Sequence, residues 1–237
     1  EREETPLRLG VLLDVSGSMS QDLAFIRSAS INFISMLGTA EDVTIVDFDS
    51  EVRSARFDPQ DPRLVERIRG QKVGGFTALY DAIGVYLDGA STLDGRKVAL
   101  IYTDGGDTRS RLSLSELLDL LKASDVTAYV IGALEHQSSF LRQQQQMRLV
   151  RMAEATGGRA FFPTSTTGLA TVYKEVLAEI RGQYTIGYLS TNERMDGAWR
   201  KVEVRLVAPG ARDYRVRARR GYYALYRPES SPPPPRR

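Results

Sequence analysis

The sequence of 237 residues contains no cysteine and a single histidine, His136. The lack of cysteine excludes disulfides, zinc-thiolate sites and cysteine nucleophiles, and it is compatible with either a cytosolic or an exported protein. No apolar run approaches the roughly 20 residues that a membrane-spanning helix needs, so no membrane span is expected. Residues 1–4 also do not show the order of a signal peptide, in which basic residues precede an apolar stretch. A mature or trimmed chain would have no such leader, so the compartment stays open.

The chain also lacks a strong charge of either sign. Lys and Arg total 32 against 30 Asp and Glu, which gives a formal net charge of +2. Such a balance gives no indication of a nucleic-acid partner, and none is expected. With 42% hydrophobic and 26% charged residues, the composition is that of a globular protein with one main core and an appendage.

Most of the chain alternates between apolar strand patterns and helical patterns. Residues 7–14 form a continuous apolar run, which is typical of a central strand covered on both faces. Strands are predicted over 7–14, 43–48, 51–57, 97–104, 125–132 and 159–162, and helices over 23–37, 64–68, 78–90, 114–123, 140–155 and 166–181. This order predicts an α/β fold of the doubly wound, Rossmann-like kind, with a mostly parallel sheet and one antiparallel edge strand at 51–57.

The last part of the chain has a different pattern. Residues 184–189, 200–207 and 214–223 alternate apolar and polar side chains, which predicts a small antiparallel β-meander. We therefore expect a main domain over 1–183, a meander over 184–226 and a Pro-rich tail over 227–237. The core of the meander is expected to consist of aromatic residues, namely Tyr184, Tyr188, Trp199, Tyr222 and Tyr223. Its last strand carries Arg215, Arg217 and Arg219 on one face, either solvated or directed at an acidic partner.

Polar side chains stand where three predicted elements meet the same edge of the sheet. Asp14, Ser16 and Ser18 follow the first strand, Thr77 precedes a helix, and Asp104 ends the strand over 97–104. Oxygen donors of this kind suit Mg²⁺, Mn²⁺ or Ca²⁺, and ligands of doubly wound sheets bind at this edge. The alternative is that Asp and Ser here only cap the helices that follow.

The same residues carry a resemblance to a known family. The run Asp14-Val15-Ser16-Gly17-Ser18, Thr77 within Gly75-Phe76-Thr77-Ala78, and Asp104 within Thr103-Asp104-Gly105 resemble the metal-ion-dependent adhesion site of the von Willebrand factor A, or integrin I-like, domain. The resemblance covers about 7–183, and the segment after it looks like the C-terminal extension of a bacterial, VWFA-related group. It implies that Asp14, Ser16, Ser18, Thr77 and Asp104 hold a divalent cation, Mg²⁺ first and Mn²⁺ or Ca²⁺ as alternatives. The family leaves one position on that cation for an Asp or Glu of a protein partner.

Several neighbouring polar residues have simpler interpretations. Ser20 and Asp22 are expected to cap the first helix. Asp107 and Thr108 are expected either to orient the cation ligands or to shape their turn, and Asp81 likewise. For Asp47 and Asp49, at the end of the second strand, a turn role is expected.

The preferred function is therefore a non-enzymatic, metal-dependent protein-binding or adhesion module. A metal-dependent hydrolase is the enzymatic alternative, but Ser16 stands where a haloacid-dehalogenase-type phosphatase needs its second Asp, and no Gly-x-Ser-x-Gly elbow is present. An intracellular assembly module that docks a subunit of a chelatase-like or ATPase-like complex is the other alternative. The meander and the Pro-rich tail favour an extracellular or periplasmic bacterial protein, while a cytoplasmic one stays open.

Overall fold

The computed structural model describes residues 5–207, 210, 214 and 216–227, apart from the side chains of Thr166 and Thr167. Its main element is a six-stranded sheet in the order β3-β2-β1-β4-β5-β6. The strands are β1 (Leu7–Asp14), β2 (Ala40–Phe48), β3 (Val52–Phe57), β4 (Arg96–Thr103), β5 (Val126–Gly132) and β6 (Arg159–Phe161). All neighbouring pairs are parallel except β2 and β3. The predicted mixed sheet with one antiparallel edge strand is confirmed.

Six helices connect or follow these strands. They are α1 (Leu23–Leu37), α2 (Pro62–Arg69), α3 (Leu79–Ser91), α4 (Leu114–Ala123), α5 (Ser139–Ala155) and α6 (Thr166–Gly182). Helix α1 ends where the sequence predicts, because Gly38 adopts a left-handed conformation with φ of 61°. Helix α4 begins with a capping box in which Ser113 and Glu116 satisfy each other's backbone N–H groups. None of the described helices is both long enough and apolar enough to cross a bilayer.

The helices cover both faces of the sheet, and each face has its own apolar core. Odd-numbered residues of β1, such as Leu9 and Val11, pack with α1, α2 and α6. Leu12 and the facing residues of β2, β4 and β5 pack instead with α3, α4 and α5. Alternate side chains of a strand point to opposite faces, so a strand buried on both sides is apolar throughout. This is the doubly wound architecture that the apolar run over 7–14 predicts.

A glycine in the centre of β1 allows helix α3 to approach the sheet closely. A Cβ atom at Gly10 would lie 2.2 Å from Cε2 of Tyr86, whose ring fills that space. The Tyr86 hydroxyl donates to the carbonyl of Val98 on the neighbouring strand, at 3.1 Å. The buried Tyr86 ring therefore spans β1 and β4 from the α3 side.

The C-terminal segment forms less sheet than the sequence predicts. Strands β7 (Trp199–Lys201) and β8 (Gly221–Tyr223) pair antiparallel, and Asp196 and Tyr226 extend the pair by an isolated bridge. The strand predicted over 184–189 is wrong: this segment is not extended sheet, and Tyr184 and Leu189 are 83% and 97% exposed. Its alternating pattern has no neighbouring strand to pair with among the described residues, and a strand needs such a neighbour to satisfy its backbone.

The aromatic core predicted for this segment is present in part. Trp199 and Tyr223 make an edge-to-face contact with ring centroids 4.9 Å apart, and Tyr188 and Tyr222 make another at 6.2 Å. Tyr184 takes no part in it, because its side chain is exposed. The aromatic pairs therefore stabilise the short β7-β8 pair without building a full third layer.

The arginines of the last segment attach it to the main domain. Arg219 donates to the carbonyls of Ser124 and Val126 at the start of β5, the latter at 3.1 Å, and Arg217 forms an ion pair with Glu179 of α6. The sequence suggests that Arg219 is either solvated or directed at an acidic partner. Both expectations are wrong for Arg219, because backbone carbonyls of this chain accept its hydrogen bonds. Arg215 and the prolines of the tail lie outside the described residues.

Candidate functional site

The candidate site lies where β1 and β4 end side by side. The two strands are parallel neighbours, with Leu13 opposite Tyr102, so the residues that follow them emerge at one edge of the sheet. Asp14 is the last residue of β1, and Asp104 comes directly after β4. Both carboxylates are buried, with exposures of 0% and 4%. The strand order thus places together two acids that are 90 positions apart in the sequence.

Asp14 is held by hydroxyl and amide donors on both of its oxygens. Its Oδ1 accepts from the Ser16 N–H at 3.0 Å and from the Ser16 hydroxyl at 2.5 Å, and its Oδ2 accepts from the Thr103 hydroxyl at 2.7 Å. The Ser16 and Ser18 hydroxyl oxygens are 3.2 Å apart. Ser16 is buried and Ser18 is exposed, so the cluster runs from the interior to the surface. Thr103 is not among the five predicted ligands, yet its hydroxyl contacts one of them.

Asp104 is fixed by its own turn and by a glutamine from the loop after β5. Its Oδ1 accepts from the Gly106 N–H at 2.8 Å, and its Oδ2 accepts from Nε2 of Gln137 at 3.1 Å. Gly105 adopts φ of 80°, which allows the tight turn, and its N–H donates to the Thr103 hydroxyl at 3.0 Å. Thr103 therefore links the two carboxylates, since its hydroxyl donates to Asp14 and accepts from the turn that carries Asp104.

Thr77 lies in the loop beside the turn after β1 and is buried. The two loops are tied by backbone hydrogen bonds from Gly17 N–H to the Gly75 carbonyl and from Gly74 N–H to the Val15 carbonyl, at 3.2 and 3.0 Å. Three separate loops, after β1, before α3 and after β4, therefore converge on one edge of the sheet. This is the edge at which the sequence predicts all five site residues.

Thr108 orients Thr77 through the backbone. Its hydroxyl accepts from the Thr77 N–H at 3.0 Å, and the Thr77 carbonyl accepts from the N–H groups of Thr108 and Arg109 at 2.8 and 2.9 Å. These bonds join the loop of Thr77 to the loop that follows Asp104, so Thr108 directly contacts one of the predicted ligand residues.

The acidic residues Asp107 and Asp81 brace the start of α3 and the loop after β4. Asp107 accepts from the Tyr80 N–H at 3.2 Å and from the Ser110 hydroxyl at 2.6 Å. Asp81 accepts from the N–H groups of Arg111 and Leu112. Both carboxylates therefore shape the turn, which is the simpler of the two roles considered for them.

Two other rim carboxylates are used by neighbouring basic residues and turns. Asp47 forms ion pairs with Arg53, at 2.7 Å, and with Arg67. Asp49 accepts the Glu51 N–H at 2.9 Å in the β2-β3 turn, as the predicted turn role requires. For Asp47 the structure corrects that expectation, because its side chain joins β2 to β3 and α2.

The predicted capping role of Asp22 is wrong. Asp22 occupies the position before α1, but its side chain makes no capping hydrogen bond, and it lies 3.9 Å from Nε2 of His136. Ser20 ends the short 3-10 turn Gly17–Met19, where its N–H donates to the Gly17 carbonyl. Asp22 therefore precedes α1 without capping it.

The electrostatics of the site favour a cation. Burial and, to a smaller extent, the nearby charge of Asp104 raise the pKa of Asp14 to about 7, against the lowering effect of hydrogen bonds from Ser16 and Thr103. Among the described residues no Lys, Arg or His forms an ion pair with Asp14 or Asp104. A divalent ion would supply the missing positive charge, because buried charges require a partner.

The donor set is dominated by neutral hydroxyls. The five predicted ligands comprise two carboxylates and three hydroxyls. The described part of the chain holds no group of three or more His, Cys, Asp or Glu side chains suited to a metal. A set of hard oxygens with few formal charges fits Mg²⁺, which retains waters and binds through one or two carboxylates.

The chain belongs to the von Willebrand factor type A domain family, whose model matches residues 9–175. This match spans β1 to most of α6, and it includes the three loops that carry the candidate site. A search of curated proteins found no match.

Solved structures with the same fold come from bacteria. The von Willebrand factor type A protein from Catenulispora acidiphila is 20% identical, with a TM-score of 0.59, and the match covers 74% of this chain and 42% of that one. The corresponding domain of the type V pili tip protein Mfa5 from Porphyromonas gingivalis is 12% identical, with a TM-score of 0.63 and coverages of 78% and 98%. The PilB minor pilin from Streptococcus sanguinis is 14% identical, with a TM-score of 0.58 and coverages of 76% and 62%. Membership of the family supports a protein-interaction module, and the likeness to these solved structures concerns the fold.

Proposed function

We propose that this chain binds a protein partner through a divalent cation held by Asp14, Ser16, Ser18, Thr77 and Asp104. The observation that carries the proposal is the burial of Asp14 beside Asp104, with hydroxyl donors around it and no basic side chain paired with either acid among the described residues. Such a pair of buried acids is costly unless positive charge is supplied. Mg²⁺ is the preferred ion, with Mn²⁺ or Ca²⁺ as alternatives.

The chemistry of the site favours capture of an acidic side chain. When bound, a divalent ion surrounded mostly by neutral hydroxyls keeps enough positive charge to attract a further carboxylate. Ser18 is exposed, whereas Asp14 and Ser16 are buried, so the open side of the cluster faces solvent. A partner that offers an Asp or Glu would complete the charge balance of the site.

A non-enzymatic role is part of the proposal. The one histidine, His136, has Asp22 at 3.9 Å as its acidic neighbour, and Ser16 donates its hydroxyl proton to Asp14. A nucleophilic serine needs a base that is free to take up that proton, and in this proposal the Asp14 carboxylate is engaged by the cation instead. The site is therefore better suited to binding than to hydrolysis.

An exported bacterial setting is also proposed. The solved neighbours include a pili tip protein and a minor pilin, both named for surface structures. The structural likeness itself concerns the fold, so the setting of this chain rests on these names together with the sequence pattern after residue 183.

The test is affinity capture from surface extracts of the source organism in Mg²⁺, followed by elution with EDTA. The wild-type protein is expected to retain a partner that EDTA releases, and Asp14→Ala is expected to retain none. Asp88→Ala, which removes an exposed acid of α3, serves as the matched control and is expected to behave like the wild type. A partner that stays bound in EDTA, or that binds the folded Asp14→Ala variant equally well, would contradict the proposal.

A further inference from the structure

Two phenylalanines stand out among the exposed side chains of the main domain. Within residues 5–183, Phe76 and Phe140 are the large apolar side chains that are more than 60% exposed, at 64% and 75%. Aromatic side chains are enriched among the residues that protein interfaces bury, so exposed ones beside a binding site are candidates for partner contact. Both lie on the edge of the sheet that carries the candidate site.

The position of Phe76 is fixed by its backbone. Its N–H donates to the Ser50 hydroxyl at 2.9 Å, and it directly precedes Thr77. The residue before it, Gly75, adopts φ of 71°, and a Cβ atom there would lie 2.6 Å from the Ser50 hydroxyl. Phe76 is therefore held between the ends of β1 and β2, on one side of the two carboxylates.

Phe140 lies on the other side of the carboxylates, in the first turn of α5. It comes three positions after Gln137, whose amide donates to Asp104. The loop before α5 is pinned by Arg142, which donates to the carbonyls of Glu135 and Gln137 at 3.0 and 3.3 Å. The β5-α5 connection thus carries an exposed aromatic ring at a defined place beside the site.

The sheet order indicates how far apart the backbone segments that carry the two rings lie. Asp14 and Asp104 follow β1 and β4, and these strands lie between β2 and β5 in the sheet. Neighbouring strands are about 4.8 Å apart, so the backbone segments that carry Phe76 and Phe140 leave this edge two to three spacings, or about 10–15 Å, apart. In an extended peptide, alternate side chains share one face, and residues two before and two after a central one are about 13 Å apart.

From this match, and resting on the function proposed above, we propose that the partner presents an extended segment with the pattern apolar-x-acidic-x-apolar. The acidic side chain enters between the two rings, and the flanking apolar side chains pack on Phe76 and Phe140. The backbone around each ring is held by the contacts described above, and an aromatic side chain has only two rotatable angles, so little conformational freedom is lost when a partner packs on the pair. Every acidic segment offers a carboxylate, so the specificity for one segment over another would come from the apolar side chains that pack on Phe76 and Phe140.

The test is selection from a phage-displayed library of random heptapeptides on the immobilised protein in Mg²⁺, with elution by EDTA. The eluted peptides are expected to contain Asp or Glu with apolar residues two positions before and after it. The same selection on Phe76→Ser with Phe140→Ser is expected to keep the acidic residue and lose the apolar preference. Met147→Ser removes another exposed apolar side chain of α5, further along the helix, and is expected to leave the preference unchanged.

A selected heptapeptide, synthesised and titrated in Mg²⁺, gives the size of the effect. The double serine variant is expected to bind it at least about tenfold more weakly than the wild type, since exposed aromatic anchors are characteristic hot spots. Peptides with an acidic residue but no apolar preference, or with apolar residues at helical spacing, would overturn this inference and leave the proposed function standing. No EDTA-eluted peptides above the Asp14→Ala background would count against both.

Discussion

At the scale of single residues, the close packing of α3 on the sheet depends on a glycine, which has no side chain. Gly10 allows the Tyr86 ring to lie where a Cβ would otherwise stand, and the ring is buried between β1, β4 and α3. A methyl group at position 10 would force the ring or the strand to move. Protein interiors are close-packed, so neither movement comes without cost.

We expect Gly10→Ala to lower the free energy of unfolding by about 1–3 kcal/mol, because overpacking of a tight core displaces side chains from their preferred rotamers. Chemical denaturation monitored by circular dichroism measures the change. The matched control is Gly89→Ala in α3, where a Cβ would meet nothing within 4 Å. That variant is expected to be up to about 1 kcal/mol more stable than the wild type. Equal effects at the two positions would show that the contact with Tyr86 is unimportant.

A second prediction concerns Thr103, whose hydroxyl joins Asp14 to the turn of Asp104. We expect Thr103→Val to weaken Mg²⁺ binding by about 10–100-fold, as loss of an orienting hydrogen bond does at other metal sites. Isothermal titration calorimetry measures the affinity. Thr127→Val makes the same chemical change near the start of β5, where the hydroxyl contacts Gln183, and is expected to keep the wild-type affinity. Unchanged binding by the Thr103 variant would remove Thr103 from the site.

Some residues of the candidate site can be predicted from the sequence, and others cannot. Asp14, Ser16, Ser18, Thr77 and Asp104 stand out because polar residues follow apolar strands or precede a helix. Thr103 does not stand out, since a β-branched residue at the end of a strand is ordinary. Gln137 lies in a loop, and its contact with Asp104 exists only because β4 and β5 are neighbours in the folded sheet.

At the scale of secondary-structure elements, Asp47 shows how a buried acid joins three of them. It lies in β2, pairs with Arg53 of β3 and pairs with Arg67 of α2. Its side chain is 5% exposed, so water does not replace a lost partner. This one carboxylate therefore connects β2 with both the antiparallel edge strand and the short helix α2, in addition to the backbone pairing of β2 with β3.

We expect Arg67→Ala to lower the free energy of unfolding by about 2–3 kcal/mol, because the buried carboxylate of Asp47 loses one of its two ion-pair partners. Arg69→Ala removes an exposed arginine from the same turn of α2 and is expected to change stability by less than about 0.5 kcal/mol. Thermal or urea unfolding of the two variants gives the comparison. If both variants lose the same stability, the ion pair with Asp47 is not the cause.

Sequence patterns predict the bounds of some secondary-structure elements well and the presence of others wrongly. The bounds of α1 and α4 agree with the prediction because Gly38 and Ser113 are strong end signals. The alternation of apolar and polar residues over 184–189 favours a strand. Such alternation indicates only that one face of the segment would be buried, and it does not identify a neighbouring strand with which the segment would pair. Pairing over long sequence separations is decided by tertiary contacts, which a local pattern does not contain.

At the scale of the whole molecule, the proposed cation would couple the binding edge to global stability. A ligand that binds the folded state alone stabilises it by about 2.7 kcal/mol when its concentration is 100 times its Kd. For a protein of this size, that corresponds to a rise in Tm of roughly 5–10 °C. We expect Mg²⁺ to produce such a rise and EDTA to reverse it, as measured by differential scanning calorimetry.

Two variants separate the site from general effects of salt. Asp14→Ala is expected to show no rise in Tm with Mg²⁺, whereas Asp88→Ala is expected to show the full rise. An equal rise in all three proteins would mean that Mg²⁺ acts elsewhere on the molecule.

The anchorage of the C-terminal segment has a mechanical consequence. Arg219 holds the segment at the start of β5, whereas Asp104 lies beyond the opposite end of β4. A pulling force between a partner at that edge and the C-terminal segment would therefore run lengthwise along these two strands. Their paired positions, from Lys97 opposite Val126 to Thr103 opposite Gly132, would be loaded together in shear rather than opened one at a time. The fold thus places the seven paired positions of β4 and β5 in line with the tension that a partner bound at that edge would exert.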